Sequence, residues 1–182
     1  MRVVAGSARG RRLEAPAGSG TRPTSDRVRE AVFNALSSLD ALVDADVLDG
    51  FAGSGAMGIE ALSRGARHVT FVESDRRAAQ VIHHNLETCG FTNRATVVTQ
   101  PLERFLASGG TGRHWHLVIL DPPYAHDDWD TVTASLDADV LVIESDRAIP
   151  LTDRWDVVRD RTYGSTVVRI AERRPTPSEF QE

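Results

Sequence analysis

The run with the clearest chemical potential is Asp121-Pro122-Pro123-Tyr124, which directly follows the apolar residues 117–120. Four consecutive apolar residues predict a buried strand, and α/β sheets carry their functional groups at the C-terminal ends of such strands. Prolines lack an N–H group and have fixed φ angles, so they end the ladder but can aim carbonyl oxygens rigidly. Asp121 and the Pro122 carbonyl thus offer two acceptors beside the Tyr124 ring, a set that suits a planar base held by its exocyclic amine. Taken alone, the run also fits a strand-ending turn with a packed tyrosine.

A glycine-rich turn is the second chemical feature, because residues 53–58 read GSGAMG and satisfy the pattern G-x-G-x-x-G. Gly53 and Gly55 allow close backbone approach to a ligand, and the free N–H groups of the following helix favour negative groups. Glu73 ends the next apolar run, so a right-handed crossover places its carboxylate beside the turn, where it suits a ribose diol. The pattern therefore predicts a nucleotide-type ligand. A dinucleotide such as NAD and a plain structural turn are the alternatives.

The remaining periodicity indicates the elements that position these groups. Strands are predicted near 47–48, 69–72, 95–99, 117–120 and 140–143, followed by a closing hairpin at 155–161 and 166–171. Helices are predicted from Thr24 or Ser25, from Ala56, over 75–87 with Gly90 as the C-cap, and weakly over 127–136. Residues 2–5 and 11–15 read as a small hairpin. Helices between the early strands indicate an α/β sheet.

A family resemblance joins these features. The Asp49 to Gly55 turn, Glu73 and the run after residue 120 resemble the motifs of S-adenosylmethionine-dependent methyltransferases that modify exocyclic amines. Three N-terminal stretches, RVVAG at 2–6, RGRRL at 9–13 and RPT at 22–24 followed by DRVREAVFN at 26–34, are similar to the RsmD family. That family methylates a guanine N2 in bacterial 16S ribosomal RNA, and the resemblance extends from Arg2 to about residue 172.

The resemblance implies a Rossmann-like, doubly wound, seven-stranded methyltransferase sheet with an antiparallel last strand and a small N-terminal β-hairpin. We expect residues 1–20 to form an RNA-contacting arm that adds little to the core, 21–174 to form the methyltransferase domain, and 175–182 to form a flexible tail. The implied cofactor is S-adenosylmethionine. The implied partner is 16S ribosomal RNA within the small ribosomal subunit or its assembly intermediate.

The motifs also assign individual roles. Cofactor binding falls to Asp49, Gly50, Ala52, Gly53, Gly55, Glu73, Gln100 and Leu102. Relatives place an acid where this chain has Gln100, so adenine contacts are expected from its amide or from backbone near Leu102. Catalysis falls to Asp121, Pro122, Pro123 and Tyr124, with Asp121 and the Pro122 carbonyl accepting the N–H bonds of the guanine amine and Tyr124 stacking on the base. The expected reaction is a direct in-line methyl transfer.

The charge distribution separates the N-terminus from the body. The net charge of −5 argues against a surface uniformly suited to nucleic acid, but residues 1–30 carry seven arginines against three acids, which leaves −9 for the remainder. Such an asymmetry suggests a local phosphate contact, although solvated arginines give the same pattern. Together with the resemblance it predicts an RNA-binding set of Arg9, Arg11, Arg12, Arg22, Thr24, Arg27 and Arg29. Arg27 and Arg29 are predicted to lie off the apolar face of their helix.

Several classes are disfavoured by composition. The single cysteine, Cys89, excludes an internal disulfide and fits a reducing cytosol, and no apolar stretch is long enough for a membrane span. His83 and His84 are adjacent and cannot form the i, i+4 pair of a helical metal site. We therefore expect a cytoplasmic monomer without a metal. Three rival functions stay open. An NAD oxidoreductase would have no role for the run at Asp121, whereas an adenine-N6 methyltransferase acting on RNA or DNA would use that run equally well. The third alternative is a non-catalytic RNA-binding module.

Overall fold

The computed structural model describes residues 1–16, 26–109, 112–122 and 129–175. Within them the helices are α1 (Asp26–Ser38), α2 (Ala56–Ser63), α3 (Arg76–Cys89), α4 (Leu102–Ala107) and α5 (Trp129–Ala134). The strands are β1 (Asp46–Gly50), β2 (His68–Glu73), β3 (Ala95–Thr99), β4 (His114–Leu120), β5 (Asp137–Ser145), β6 (Trp155–Tyr163) and β7 (Thr166–Arg173). A 3-10 turn, Thr92–Arg94, precedes β3.

The seven strands form one sheet in the order β3-β2-β1-β4-β5-β7-β6. Neighbouring strands among β1 to β5 pair in parallel, whereas β7 runs antiparallel to both β5 and β6. The predicted fold class, with its antiparallel last strand, is confirmed. Strand order reverses between β1 and β4, so the C-terminal tips of β1, β2 and β4 border a crevice at the topological switch point.

Both faces of the sheet are covered, which explains why the central strands are almost wholly apolar. On one face Phe33 of α1 and Ile59 of α2 pack in the same buried cluster as Phe71 of β2. On the other, Leu102 of α4 and Trp129 of α5 belong to a second buried cluster. The strand tips that border the crevice are therefore held between two packed layers.

The N-terminal segment is part of this packing. Val3, Ala8 and Leu13 are at most 5% exposed and belong to the same cluster as α1, α2 and α3. The expected hairpin is reduced to one antiparallel bridge between Arg2 and Arg12. The expectation that this segment adds little to the core is wrong, because three of its apolar side chains pack under the helices.

Helix α2 supplies the anchor for that segment. The two carboxylate oxygens of Glu60 accept hydrogen bonds from the backbone N–H groups of Val4 (2.8 Å) and Ala5 (3.0 Å). Gly6 has a φ of 82°, and a Cβ there would stand 1.9 Å from the carbonyl oxygen of Ser63. Only glycine can make this contact, so the segment is seated directly on the backbone of α2.

Arg29 corrects a second expectation. Its side chain is completely buried and donates hydrogen bonds to the carbonyl of Arg2 and to Asp26 (3.0 Å), with Glu60 at 3.7 Å. The prediction that Arg29 faces outward and binds RNA is wrong in this structure. Residues 29, 33 and 36 follow helical spacing, so Arg29 lies on the same stripe as buried Phe33 and Leu36.

The boundaries of the other helices differ less from those predicted from the sequence. Helix α3 ends as predicted at Gly90, which adopts a left-handed φ of 76° and closes the helix with bonds to the carbonyls of residues 86 and 87. Helix α4 was not predicted, because its six residues are too few to show a helical period. The predicted start of α1 at Thr24 or Ser25, the start of the weak helix at 127 and the tail after 175 lie outside the described residues.

Candidate active site

The turn after β1 is built from residues in unusual backbone conformations. Phe51 has a φ of 61°, a region that a bulky residue rarely enters, and Gly53 and Gly55 follow with φ values of 55° and 75°. Ala52 holds the turn at both ends: its N–H donates to the carbonyl of Val72 (3.0 Å), and its carbonyl accepts from the N–H of Gly55 (2.7 Å). Strained residues held this firmly are a feature of ligand sites.

The glycines in and around the turn differ in the space that a side chain would have there. A Cβ on Gly53 would have no neighbour nearer than 3.9 Å, so this backbone is open to a ligand. A Cβ on Gly58 would lie 2.3 Å from the Phe71 ring, so Gly58 serves the packing of α2 against β2. Gly50, at the tip of β1, is likewise pressed against Leu102 and Leu120. Ligand approach is thus restricted to the first part of the turn.

Glu73 lies beside this turn, as the crossover argument predicts. Its Oε2 accepts a hydrogen bond from the N–H of Gly53 (2.7 Å), and its Oε1 accepts one from the N–H of Asp75 (2.8 Å). A carboxylate has about four acceptor positions, so two remain for hydroxyl donors. Glu73 therefore shapes the turn and keeps capacity for a ligand. Its role toward ribose stays a prediction.

Asp49 is the buried acid of the site. It is 2% exposed, and its Oδ2 accepts a hydrogen bond from the N–H of Gly58 (2.8 Å). Burial raises the pKa of Asp49 well above its usual value, and the charges of Asp121 and Glu73 raise it further against the opposing Gly58 bond. Three carboxyl groups therefore converge at the tips of β1, β2 and β4. Such a cluster favours a cationic ligand group.

This burial leads to a stability prediction for Asp49→Asn. An acid whose folded pKa lies above its unfolded value of about 3.9 destabilises the protein progressively as pH rises through that interval. Asparagine keeps an acceptor for Gly58 and cannot ionise, so we expect the variant to be more stable than the parent at neutral pH and to lose less stability as the pH rises. Urea unfolding at several pH values measures this. Exposed Glu87→Gln is the control, and a parallel pH dependence of Asp49→Asn and the parent would contradict the interpretation.

Asp121 stands at the tip of β4. Register pairs Gly50 with Leu120, so Asp121 lies one residue beyond the end of β1 and next to the turn. Asp121 is half-buried and Pro122 is buried. Pro123 and Tyr124 lie outside the described residues, and their assigned roles stay predictions.

The predicted adenine contacts lie further along the same edge. Glu73 pairs with Thr99, so Gln100 follows the tip of β3 at the level of Glu73. Leu102 opens α4 and is 2% exposed, with its side chain in the second core cluster. Only its backbone is therefore available to a ligand, in keeping with the expectation of backbone contacts.

Asn85 is a residue that the sequence analysis missed. It is completely buried in α3; its Oδ1 accepts from the N–H of Glu14 (2.8 Å), and its Nδ2 donates to the carbonyls of Glu14 (3.0 Å) and Ser54 (2.9 Å). It thereby joins the N-terminal segment to the glycine turn. A polar residue between Ile82 and Leu86 on the apolar face of α3 was the available signal.

We expect Asn85→Ala to lower the free energy of unfolding by about 1–3 kcal/mol, because it removes three partly buried hydrogen bonds to Glu14 and Ser54. The glycine turn should loosen as well, which would weaken ligand binding there. Denaturant unfolding compares the variant with Gln80→Ala, an exposed change on the same helix. Equal midpoints for the two variants would show that the Asn85 bonds contribute nothing.

Of the predicted RNA-binding arginines, the three between residues 9 and 12 lie away from the crevice. The loop that carries Arg9, Arg11 and Arg12 contacts the ends of α2 and α3: the N–H of Ser7 donates to the carbonyl of Ser63 (2.8 Å), and Arg11 Nη1 donates to that of Thr88 (2.7 Å). Both helices run back from the crevice, and the eight residues of α2 span about 12 Å. Arg9 and Arg12 are exposed at this far end.

The remaining members of the predicted set fall elsewhere. Arg27 is exposed in the first turn of α1, whereas Arg29 is buried as described above. Arg22 and Thr24 lie outside the described residues. Among the described members of the set, Arg29 is therefore unavailable to RNA, and the RNA-binding role of the exposed members stays a prediction.

Within the described ranges, no helix is long and apolar enough to cross a membrane. The same residues hold no group of three or more His, Cys, Asp and Glu side chains arranged to bind a metal ion.

The sheet order, the glycine turn with Glu73 and the acid at the tip of β4 define this chain as a methyltransferase of the doubly wound α/β class. The family model described as Conserved hypothetical protein 95 matches residues 1–172. The chain belongs to this family, which is the RsmD family of the sequence resemblance.

Individual relatives cover nearly the whole chain. YlbH of Bacillus subtilis is 39% identical over an alignment of 185 residues, which covers 96% of this chain and 100% of that protein. Ribosomal RNA small subunit methyltransferase D of Escherichia coli is 37% identical over an alignment of 183 residues, which covers 95% of this chain and 90% of that protein. Among solved structures, the Escherichia coli protein yhhF superposes with a TM-score of 0.84 at 35% identity and covers 97% of this chain and 99% of its own.

Proposed function

We propose that this protein transfers a methyl group from S-adenosylmethionine to the exocyclic N2 of a specific guanine in 16S ribosomal RNA. The observation that carries the proposal is the convergence of the glycine turn, Glu73 and Asp121 at one switch point. The choice of nucleic acid rests on the family, since the Escherichia coli relative of similar length is named a small-subunit ribosomal RNA methyltransferase.

The residues at the switch point fit such a donor. The open backbone at Gly53 and the spare acceptor positions of Glu73 suit its ribose, and Gln100 with the backbone of Leu102 suits its adenine. The carboxyl groups of Asp49, Glu73 and Asp121 suit its positive charge. When bound, the donor supplies an electrophilic methyl group on a sulfonium centre.

The chain itself then handles the acceptor amine. The lone pair of guanine N2 is delocalised into the ring, so the amine is a weak nucleophile. Asp121 and the Pro122 carbonyl accept its two N–H bonds, which helps to localise the lone pair and to aim it. Positioning of this kind contributes up to about 7–11 kcal/mol when the geometry is ideal. A carboxylate oxygen of Asp121 takes the proton that the amine loses.

The target base must leave its stack to reach this position, at a cost of about a few kcal/mol. In the proposal Tyr124 recovers part of that cost by stacking on the base, a contribution of about 1–3 kcal/mol in comparable sites. Tyr124→Phe would then retain much of the activity and Tyr124→Ala would not.

A methylation assay on 16S ribosomal RNA and on small subunits from cells that lack this protein tests the proposal. The modified nucleoside is identified by mass spectrometry. N2-methylguanine is the expected product, N6-methyladenine would favour the rival amine methyltransferase, and no transfer to any RNA would overturn the proposal. The same assay shows whether free RNA, an assembly intermediate or the finished subunit is the substrate. Sedimentation of the purified protein tests whether it is the expected monomer.

A further inference from the structure

Two arginines at the start of α3 have no side-chain partner among the residues that the structure describes. Arg76 and Arg77 are both exposed, and neither makes a hydrogen bond or an ion pair through its side chain with any residue that the structure describes. Some other surface arginines are ion-paired, for example Arg67 with Asp46 and Arg174 with Asp156, whereas others, such as Arg12 and Arg159, likewise have no side-chain partner among the described residues. The solvent-facing charge of Arg76 and Arg77 is therefore uncompensated within the described chain.

The nearest acids in sequence do not neutralise them. Both oxygens of Glu73 accept backbone N–H bonds, and Asp75 Oδ1 caps α3 by accepting from the N–H groups of Arg77 and Ala78, each at 2.8 Å. These carboxylates bind backbone N–H groups of the turn and of the helix start, and neither forms an ion pair with Arg76 or Arg77. The arginine side chains are thus not needed to hold this region together.

Their position is also locally unfavourable. The N-terminus of a helix carries partial positive charge, which disfavours cationic side chains in the first turn. Two successive arginines there, with no acid in that turn, contradict the local preference. Residues that break a local rule without a structural gain are most often found at functional sites.

Arg76 and Arg77 lie at the end of α3 that is nearest the crevice. Cα–Cβ bonds in a helix tilt toward its N-terminus, which for α3 is the end beside the tip of β2. Only β1 separates β2 from β4, so the strand tips that carry Glu73 and Asp121 are about 10 Å apart. The arginines of the far loop, by contrast, lie a full helix length below the crevice.

We propose that Arg76 and Arg77 bind phosphate groups of the RNA strand that flanks the target base. The inference rests on the proposed function for the identity of the polyanion. Guanidinium groups suit phosphate because their planar fork can donate two parallel hydrogen bonds. The methyl donor carries a single carboxylate whereas the RNA strand offers a phosphate at every nucleotide, so a loss of donor affinity in R76A/R77A would assign the two arginines to the donor and overturn the proposal. Phosphate contacts of this kind set the position of the RNA, while the groups at Asp121 select the base.

The test compares R76A/R77A with R159A/R161A, a control that removes the same charge from exposed positions on β6 at the edge of the sheet. Binding to 16S ribosomal RNA is measured at salt concentrations between about 50 and 200 mM, with S-adenosylhomocysteine present. For R76A/R77A we expect the slope of log affinity against log salt to flatten by about 1.4–1.8, the value for two lost phosphate contacts. The control should keep the parent slope. R76K/R77K should retain most of the parent slope, because lysine keeps the positive charge.

Donor affinity and the melting temperature serve as checks on folding, and neither should fall in R76A/R77A. A parent-like slope in R76A/R77A, or equal flattening in the control, would overturn the inference. Parent-like RNA binding combined with loss of activity only on assembled subunits would point to an acidic ribosomal protein and would overturn it as well. If the parent methylates no ribosomal RNA, the proposed function fails, and a slope difference between the two double variants would still support the phosphate contact.

Discussion

Replacing Asp121 by alanine is expected to lower the single-turnover rate of methyl transfer by about 100-fold or more, the usual cost of removing a preorganised hydrogen-bonding group from a reaction centre. The reason is its place at the tip of β4, where it would accept an N–H bond of the amine and then the proton. Donor affinity should stay within a few fold, because Asp121 faces the acceptor in the proposed arrangement. Rapid-quench measurements with saturating donor and RNA give the rate, and calorimetry gives the affinity.

Two further variants sharpen this test. Asp121→Asn keeps one acceptor oxygen but cannot take the proton, so its rate should fall between those of the parent and the alanine variant. Asp146→Ala changes an exposed acid just beyond the tip of β5 and should leave the rate unchanged. Near-parent turnover in Asp121→Ala would rule out the proposed acceptor pair.

Replacing Glu73 by alanine is expected to weaken S-adenosylmethionine binding about ten- to a hundred-fold. A lost charge-assisted hydrogen bond accounts for about 1.5–3 kcal/mol, and each 1.4 kcal/mol corresponds to about a factor of ten. The structure adds a second cause, since the N–H groups of Gly53 and Asp75 would lose their acceptor and the turn would be less ordered.

Glu73→Gln separates the two causes, because it can still accept one of those bonds but carries no charge. Its affinity should lie between those of the parent and the alanine variant, and Glu87→Ala on the exposed side of α3 should bind as the parent does. Unchanged affinity in Glu73→Ala would refute the assignment, and tight binding of NAD by the parent would favour the oxidoreductase.

For the central part of the molecule, the local sequence pattern was enough to predict the structure. The apolar pair at 47–48, the glycines of the turn and the acid at Glu73 follow one another within 30 residues, so strand, turn, helix and strand could be predicted from adjacent residues. The handedness of the crossover then placed Glu73 beside Gly53, and the structure joins them at 2.7 Å. The strand before Asp121 was equally clear, because a strand buried on both faces is continuously apolar.

Contacts between distant segments decided the rest. The burial of Arg29 depends on Glu60 and on the carbonyl of Arg2, and helical periodicity alone did not reveal either partner. The role of Asn85 depends on Glu14, 71 residues away. Charge counting treated the N-terminal arginines as one basic arm, but the structure buries one of them and places Arg9 and Arg12 at the far end of α2.

The sequence by itself therefore determined the order of the elements, the identity of the glycine turn and the acids at the strand tips, because each depends on neighbours in the chain. Only the tertiary structure decided which charged side chains remain available at the crevice. A charge is neutralised or left free by groups that folding brings to it, and the same residue type, arginine, is buried at Arg29, ion-paired at Arg67 and uncompensated at Arg76 among the described residues. The pattern of neighbouring residues does not distinguish these three outcomes, since each is set by packing across the sheet and its helices.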